Sequence, residues 1–143
     1  MLLIMEKKVL VLCTGNSCRS QMAHGFLSRL APSGTEIYSA GVETHGVNPK
    51  AIESMREIGI DISHHTSNLM EECTSIDFDY IITVCDNAKE RCPYFPSSAV
   101  KFHHNFPDPY GAKGTKAEIA DTFNAVRDLI EVYCKEFVSA YLR

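Results

Sequence analysis

The residues of this chain whose types and spacing could do chemistry stand in one short segment, Cys13 to Ser20, which reads Cys-Thr-Gly-Asn-Ser-Cys-Arg-Ser. An apolar run precedes the segment, and apolar residues at helical spacing follow it. A strand that passes through a loop of small residues into a helix points successive backbone N–H groups inward, and the helix N-terminus adds positive potential. The segment therefore predicts a cradle for a tetrahedral oxyanion.

Cys13 and Arg19 supply the reactive groups of this loop. The dipoles around the end of the predicted strand should lower the pKa of Cys13, and Arg19 offers a planar fork of donors to two oxygens of one anion. We expect Ser20 to favour the Cys13 thiolate by a hydrogen bond, Asn16 to stiffen the loop and Cys18 to be structural. A cysteine at a strand end is often just a small buried hydrophobe, but the spacing Cys-x5-Arg-Ser favours a nucleophile. The predicted oxyanion-binding residues are Thr14, Gly15, Asn16, Ser17, Cys18, Arg19 and Ser20.

The predicted elements that position this loop alternate along the chain. Apolar and β-branched runs indicate strands, and apolar residues at helical spacing indicate helices. Such alternation predicts an α/β fold, a three-layer sandwich around a central four-stranded parallel sheet, in which ligands bind at the carboxyl ends of strands. Cys13 and Cys85 both fall at predicted strand ends and should share one edge. The predicted strands are 8–12, 36–40, 79–84 and 100–103, and the predicted helices are 20–30, 49–58 and 115–141, with one or two helical turns over 68–73.

Length and composition limit the classes of function. A chain of 143 residues with 45% hydrophobic content suits one domain, residues 1–143. A net charge of −4 without a basic block predicts no nucleic-acid or membrane partner. The apolar stretch at residues 1–5 is too short for a signal sequence or a membrane span, and translation could start at Met1 or Met5. We expect a cytoplasmic monomer whose six cysteines are thiols, not a structural disulfide framework.

Cys85 and Cys92 form a second group of interest. On an undisturbed helix, residues seven positions apart lie about 10 Å apart along the axis, whereas a disulfide needs Cα atoms within about 7 Å. A disulfide between them therefore requires that residues 86–91 unwind or loop out, which Pro93 would assist. If a helix follows Cys85, Asp86 and Asn87 would cap it. The spacing alone equally allows two separate packing cysteines.

Beyond the single loop, distributed motifs carry a resemblance to a known family. Residues 8–23 and the run Tyr38-Ser39-Ala40-Gly41 resemble the low-molecular-weight tyrosine phosphatase superfamily, and specifically its thioredoxin-coupled arsenate reductase branch. The agreement continues through residues 45–49 and 59–63 to both later cysteines and to Asp108-Pro109, so it covers nearly the whole chain. The resemblance implies the low-molecular-weight phosphatase-like fold, also called the phosphotyrosine phosphatase I fold.

The resemblance also implies a reaction. In it, Cys13 attacks arsenate, Cys85 then attacks Cys13 and releases arsenite, and Cys92 carries the disulfide outward to thioredoxin; phosphate and sulfate are analogues of arsenate. Asp108 lies between two prolines, a place where an aspartate is often only a turn residue, and the resemblance makes it the general acid. The implied catalytic residues are Cys13, Arg19, Cys85, Cys92 and Asp108.

A metal site is not expected from this sequence. Adjacent histidines, such as 64–65 and 103–104, face opposite ways on an extended chain and are poorly spaced for chelation. The family's potassium site maps onto Asn16, Ser39 and Thr66. However, His24 and Asn68 stand where acidic ligands are usual, which argues against potassium dependence.

Two other functions remain open from the sequence. Tyr110 and the absence of Trp resemble the phosphatase branch, in which Cys13 would form a phosphoenzyme, whereas Gln21 and the later cysteine pair favour the reductase. A non-catalytic oxyanion-binding module would bind anions without turnover. Arsenate-dependent consumption of reductant separates the reductase from both.

Overall fold

The computed structural model of this protein describes residues 6–86, 90 and 92–143. Its centre is a four-stranded, fully parallel sheet with the strand order β2-β1-β3-β4. The predicted sheet is thus confirmed, with strand ends within one residue of those expected. The strands are β1 (Lys8–Cys13), β2 (Glu36–Gly41), β3 (Tyr80–Thr83) and β4 (Val100–His103).

The sheet forms the middle layer, and helical segments cover its two faces. The helices are α1 (Arg19–Leu30), α2 (Pro49–Arg56) and α3 (Lys116–Phe137). Because side chains alternate along a strand, Val9 and Val11 of β1 pack with buried residues of all three helices, whereas Leu10 and Leu12 face the other side. There a 3-10 helix, Met70–Cys73, packs with Phe78 and Phe95. The three-layer prediction is confirmed, although the second outer layer is thin.

Local sequence signals explain where the two later helices begin. Asn48 caps α2 by accepting a hydrogen bond from Lys50 N at 2.8 Å, and Pro49 occupies the first turn. Thr115 and Glu118 form a capping box at the start of α3. The α-helix of α3 ends at Phe137, four residues before the predicted end, and continues as a π-helical turn, Val138–Leu142.

Two predictions fall on residues that the structure does not describe. The start at Met1 or Met5 lies outside the described residues, as does Asn87 of the predicted cap after Cys85. Within the described part of the chain, no helix is long and apolar enough to cross a membrane.

Candidate active site

The backbone carbonyl groups of the loop between β1 and α1 accept hydrogen bonds from surrounding residues, and these bonds hold the loop in place. The carbonyl oxygen of Thr14 accepts a hydrogen bond from Glu43 N at 3.0 Å, that of Gly15 from His45 N at 3.0 Å, and that of Ser17 from Asn48 N at 3.1 Å. The Asn16 carbonyl accepts from Ser67 Oγ at 2.9 Å and from Gln21 Nε2 at 3.1 Å. Since the N–H of each next residue points away from such a carbonyl, the N–H groups of residues 15–18 face the centre. This arrangement agrees with the predicted cradle, whose binding of an oxyanion stays a prediction.

Two residues make this tight loop possible. Asn16 adopts a positive φ of 47°, and its side chain bridges the loop: Nδ2 donates to Ser20 Oγ at 2.8 Å, and Oδ1 accepts from Asn68 N at 2.8 Å. Gly41, at the end of β2, lies against the loop so closely that a Cβ there would be 2.6 Å from Thr14 O and 2.9 Å from Asn16 N. The Asn16 contacts agree with the stiffening role expected of it, whereas the close approach of Gly41 was not foreseen.

Arg19 is the first residue of α1, and its side chain is nearly fully buried beneath the loop. Its Nη1 donates to Phe106 O at 3.1 Å, which holds the guanidinium against the segment that leads to Asp108. Its Nε is buried and has no hydrogen-bond partner among the described residues. A buried cation with an unused donor is suited to bind an anion.

A carboxylate occupies the mouth of this cradle. Glu90 Oε2 accepts from Arg19 Nη1 at 2.6 Å, and Glu90 Oε1 accepts from Arg19 Nη2 at 2.7 Å and from Thr14 Oγ1 at 2.6 Å. Burial alone would raise the pKa of Glu90, but the hydrogen bonds from Arg19 and Thr14 outweigh it and hold that pKa at about 2. The sequence analysis missed Glu90. Its position between Cys85 and Cys92 in the sequence was the signal that could have pointed to it.

The thiol of Cys13 differs from the prediction. Burial raises the pKa of Cys13, and the negative charges of Glu90 and Asp108 add to this effect, which the Arg19 charge and a backbone hydrogen bond at Thr14 only partly oppose. The lowered pKa expected from the sequence is therefore wrong for this state of the site. Burial also raises the pKa of Cys18 to about 12, in keeping with a structural thiol.

Asp108 lies at the open side of the cradle. Its Oδ2 is 3.4 Å from Arg19 Nη2, and its Oδ1 accepts from Tyr110 N at 3.0 Å. The neighbouring Phe106 is buried and anchors the proline-bounded segment. Asp108, Glu90, Tyr110 and His45 join the loop residues around a cleft of about 330 Å³. Asp108 thus places an acidic side chain at the cleft, and its role as the general acid stays a prediction.

The two later cysteines are joined by a disulfide. The Cα atoms of Cys85 and Cys92 lie 5.9 Å apart, closer than an undisturbed helix would place them. Cys85 is fully buried, whereas Cys92 is partly exposed, and β3, which leads to Cys85, pairs directly with β1, which ends at Cys13. The two strand ends therefore share one edge, as predicted. The expected unwinding of residues 86–91 falls partly on residues 87–89 and 91, outside the described residues.

The remaining cysteines lie away from the cleft. Cys73 is buried on the other face of the sheet, and Cys134 of α3 is buried with its Sγ 3.9 Å from Ala23 O. Burial raises the pKa of both thiols. These positions agree with packing roles for both residues.

The residues onto which the family's potassium site maps are engaged in other contacts in this structure. His24 Nδ1 and Ser39 Oγ hydrogen-bond to each other at 2.8 Å, and Asn16 Oδ1 is already engaged by the Asn68 backbone. Burial and the neighbouring His65 and His64 lower the pKa of His24 to about 4, so a neutral ring stands where a carboxylate would be needed. Among the described residues, no group of three or more His, Cys, Asp or Glu side chains could hold a metal ion.

Known proteins resemble this chain over most of its length. An arsenate reductase of Staphylococcus aureus (strain Newman) is 43% identical over 134 residues, which cover 94% of this chain and 98% of the relative. Arsenate reductase 2 of Staphylococcus epidermidis is 45% identical over 132 residues, covering 92% of this chain and 96% of the relative. A solved structure of an arsenate reductase in the phosphate binding state superposes with a TM-score of 0.78 at 32% identity, covering 93% of this chain and 97% of that chain. The model of the low molecular weight phosphotyrosine protein phosphatase family matches residues 8–143. This chain therefore belongs to the low molecular weight phosphotyrosine protein phosphatase family.

Proposed function

We propose that this protein is an arsenate reductase, which converts arsenate to arsenite through a thiol relay of Cys13, Cys85 and Cys92. The observation that carries the proposal is the Cys85–Cys92 disulfide at the sheet edge that holds the Cys13 cradle. A phosphatase needs only the nucleophile and the cradle, whereas reduction of arsenic needs two electrons from two thiols. The reductases among its relatives support the same assignment.

The first step is nucleophilic attack at arsenic. The Cys13 thiolate forms a sulfur–arsenic bond and expels one arsenate oxygen, which leaves as water after protonation by Asp108. The inward N–H groups of the loop and the Arg19 fork bind the remaining oxygens. The anion then binds Arg19 in the place that the Glu90 carboxylate occupies in this structure.

The second and third steps move electrons through the thiols. The Cys85 thiolate attacks Cys13 sulfur, the sulfur–arsenic bond breaks, and its electron pair reduces As(V) to As(III), which leaves as arsenite. The Cys92 thiolate then attacks Cys85 sulfur and restores Cys13 as a thiolate, leaving a Cys85–Cys92 disulfide. Cys92 is the less buried of the two, so an external thiolate reaches it first.

A dithiol must supply two electrons and two protons to complete the cycle, and we propose thioredoxin for this role on the strength of the resemblance. The proposal includes action in the cytoplasm, where such reductants keep thiols reduced. It also includes a monomer in which residues 1–143 form one domain.

The relay is tested by arsenate-dependent oxidation of NADPH through thioredoxin and thioredoxin reductase. Wild type should turn over, and Cys85→Ser and Cys92→Ser should not, whereas the matched control Cys73→Ser, on the other face of the sheet, should keep turnover. In a single turnover without reductant, Cys92→Ser should still release about one arsenite per protein, because Cys85 can attack Cys13, and Cys85→Ser should release none. Release by Cys85→Ser equal to wild type would contradict the relay.

A phosphatase acting through a Cys13 phosphoenzyme is the second candidate. It is favoured by Tyr110, a residue that is 69% exposed beside the cleft and could contact an aromatic substrate. Hydrolysis of an aryl phosphate by all four proteins, with no arsenate-dependent NADPH oxidation, would favour this candidate. Anion-induced stabilisation without either turnover would leave only an oxyanion-binding module.

A further inference from the structure

The carboxylate of Glu90 makes the contacts that a bound oxyanion would make. It accepts two charge-assisted hydrogen bonds from the Arg19 fork, at 2.6 and 2.7 Å, and a third from Thr14 Oγ1 at 2.6 Å. Arg19 is 3% exposed and Glu90 only 18% exposed at the side chain, so the pair is largely removed from solvent. Two carboxylate oxygens thus lie where two oxygens of a tetrahedral anion would bind Arg19.

Glu90 lies close to the Cys85–Cys92 disulfide along the chain. Glu90 lies two positions before Cys92, which is joined to Cys85 with a Cα separation of 5.9 Å. Close to Cys85, Asp86 N donates to Glu90 Oε2 at 3.2 Å, and Glu90 N donates to Asp86 O at 3.0 Å. Glu90 is therefore bound to Asp86, the residue after Cys85, through both its backbone N–H and its carboxylate.

Charge balance in the cleft favours this occupant over a free anion. Arg19 already faces the carboxylate of Asp108, 3.4 Å from its Nη2, so Glu90 brings a second negative charge to a single buried cation. A further dianion entering this cleft would meet two carboxylates with one guanidinium between them. The closed arrangement therefore excludes a second anion both by space and by charge.

We propose that Glu90 is an intramolecular competitor of the oxyanion, which closes the cradle while the Cys85–Cys92 disulfide is present and leaves it when that disulfide is reduced. The oxidised protein then cannot take up a new oxyanion or engage Cys13 before an external dithiol has restored Cys85 and Cys92. This inference rests on the proposed role of the Cys13–Ser20 loop as the oxyanion site. It adds a gate that orders the cycle: reduction first, anion binding second.

The test is calorimetric titration with inorganic phosphate of the disulfide-bonded protein and of the protein reduced with dithiothreitol. A carboxylate held by charge-assisted hydrogen bonds at a high effective concentration should weaken phosphate binding by about tenfold or more. In wild type, the oxidised form should therefore bind phosphate at least about tenfold more weakly than the reduced form. Glu90→Gln and Glu90→Ala should remove most of this difference, and Glu136→Gln, an exposed acidic residue on α3, should leave it unchanged.

A second readout follows Cys13 itself. Iodoacetamide alkylation of Cys13, located by mass spectrometry in the oxidised protein, should be faster in Glu90→Gln than in wild type, because Arg19 is then free to stabilise the thiolate. A merely structural role of Glu90 would lower the melting temperature without changing either readout in this direction.

The outcomes separate this inference from the proposed function. Equal phosphate affinity of the oxidised and reduced wild type overturns the gate alone, since the cradle would then bind anions in both states. Weak binding by oxidised Glu90→Gln and Glu90→Ala, equal to that of oxidised wild type, also overturns the gate. No phosphate binding by any form overturns the oxyanion site and the gate together.

Discussion

Replacement of Arg19 by lysine tests the anion clamp most directly. In the structure Arg19 uses Nη1 for both Glu90 and Phe106 O, and Nη2 for Glu90, while Nε has no partner in the described part of the chain. A lysine keeps one positive charge but replaces the planar fork by one ammonium on a flexible stem. Arg19→Lys therefore removes at least one charge-assisted hydrogen bond to the oxyanion and keeps the net charge.

The size of the effect follows from burial. The Arg19 side chain is only 3% exposed, so water cannot replace a lost donor at low cost. A hydrogen bond to a charged group contributes about 1.5–3 kcal/mol. If the bond is made in the transition state, its loss corresponds to a fall in kcat/KM of about 10- to 150-fold.

The assay is kcat/KM for arsenate with a dithiol reductant in excess, together with the inhibition constant of phosphate. Both should be weakened in Arg19→Lys. Arg127→Lys is the matched control, because Arg127 is also a buried arginine but binds Ser54 O at 2.8 Å, far from the cleft on the α2–α3 side. It should lower thermal stability and leave kcat/KM per folded molecule unchanged.

The reasoning about Arg19 would be refuted by two results. One is an Arg19→Lys protein whose kcat/KM and phosphate inhibition stay within about twofold of wild type. The other is an equal loss of kcat/KM in Arg127→Lys, which would show that any buried arginine affects catalysis through stability alone.

Two further predictions concern the support of the loop and its histidine neighbour. Gly41→Ala should destabilise the protein by about 1–3 kcal/mol and weaken phosphate binding, because its Cβ would lie 2.6 Å from the Thr14 carbonyl oxygen. At Gly111 an added Cβ would meet no atom of the described residues within 4 Å apart from its chain neighbours, so Gly111→Ala should be nearly neutral in melting temperature and affinity. A Gly41→Ala protein that matches Gly111→Ala would contradict the close approach. The pKa of His24 is lowered to about 4 in the folded protein, so between about pH 6.5 and pH 4 the unfolded chain binds more protons than the folded one. The free energy of unfolding should therefore fall by at most about 3 kcal/mol as the pH drops through that window. Urea unfolding at several pH values should show a shallower fall in His24→Asn, and identical slopes would refute this assignment.

The sequence determined the sheet and the loop because their signals are local. The apolar run of β1, the small residues after it and the spacing from Cys13 to Arg19 act within a dozen positions, and neighbouring residues largely set such backbone conformations. The same holds for the Asn48 cap and the Thr115 capping box, which fixed the starts of α2 and α3. Helix and strand ends differ from the predicted ones by up to four residues, because the last turns change their local hydrogen bonding, as in the π-helical turn after α3.

Only the tertiary structure decided the electrostatic state of the cradle. The sequence analysis counted the dipoles and Arg19, which lower the pKa of Cys13, but burial and the carboxylates of Glu90 and Asp108 come from distant parts of the chain and reverse the sign. Likewise, the proximity of Gly41 to the loop depends on the pairing of β1 with β2, which no local pattern reveals. Local sequence thus specified which groups could do chemistry, whereas long-range packing set their neighbours, and a pKa or a bound charge depends on those neighbours.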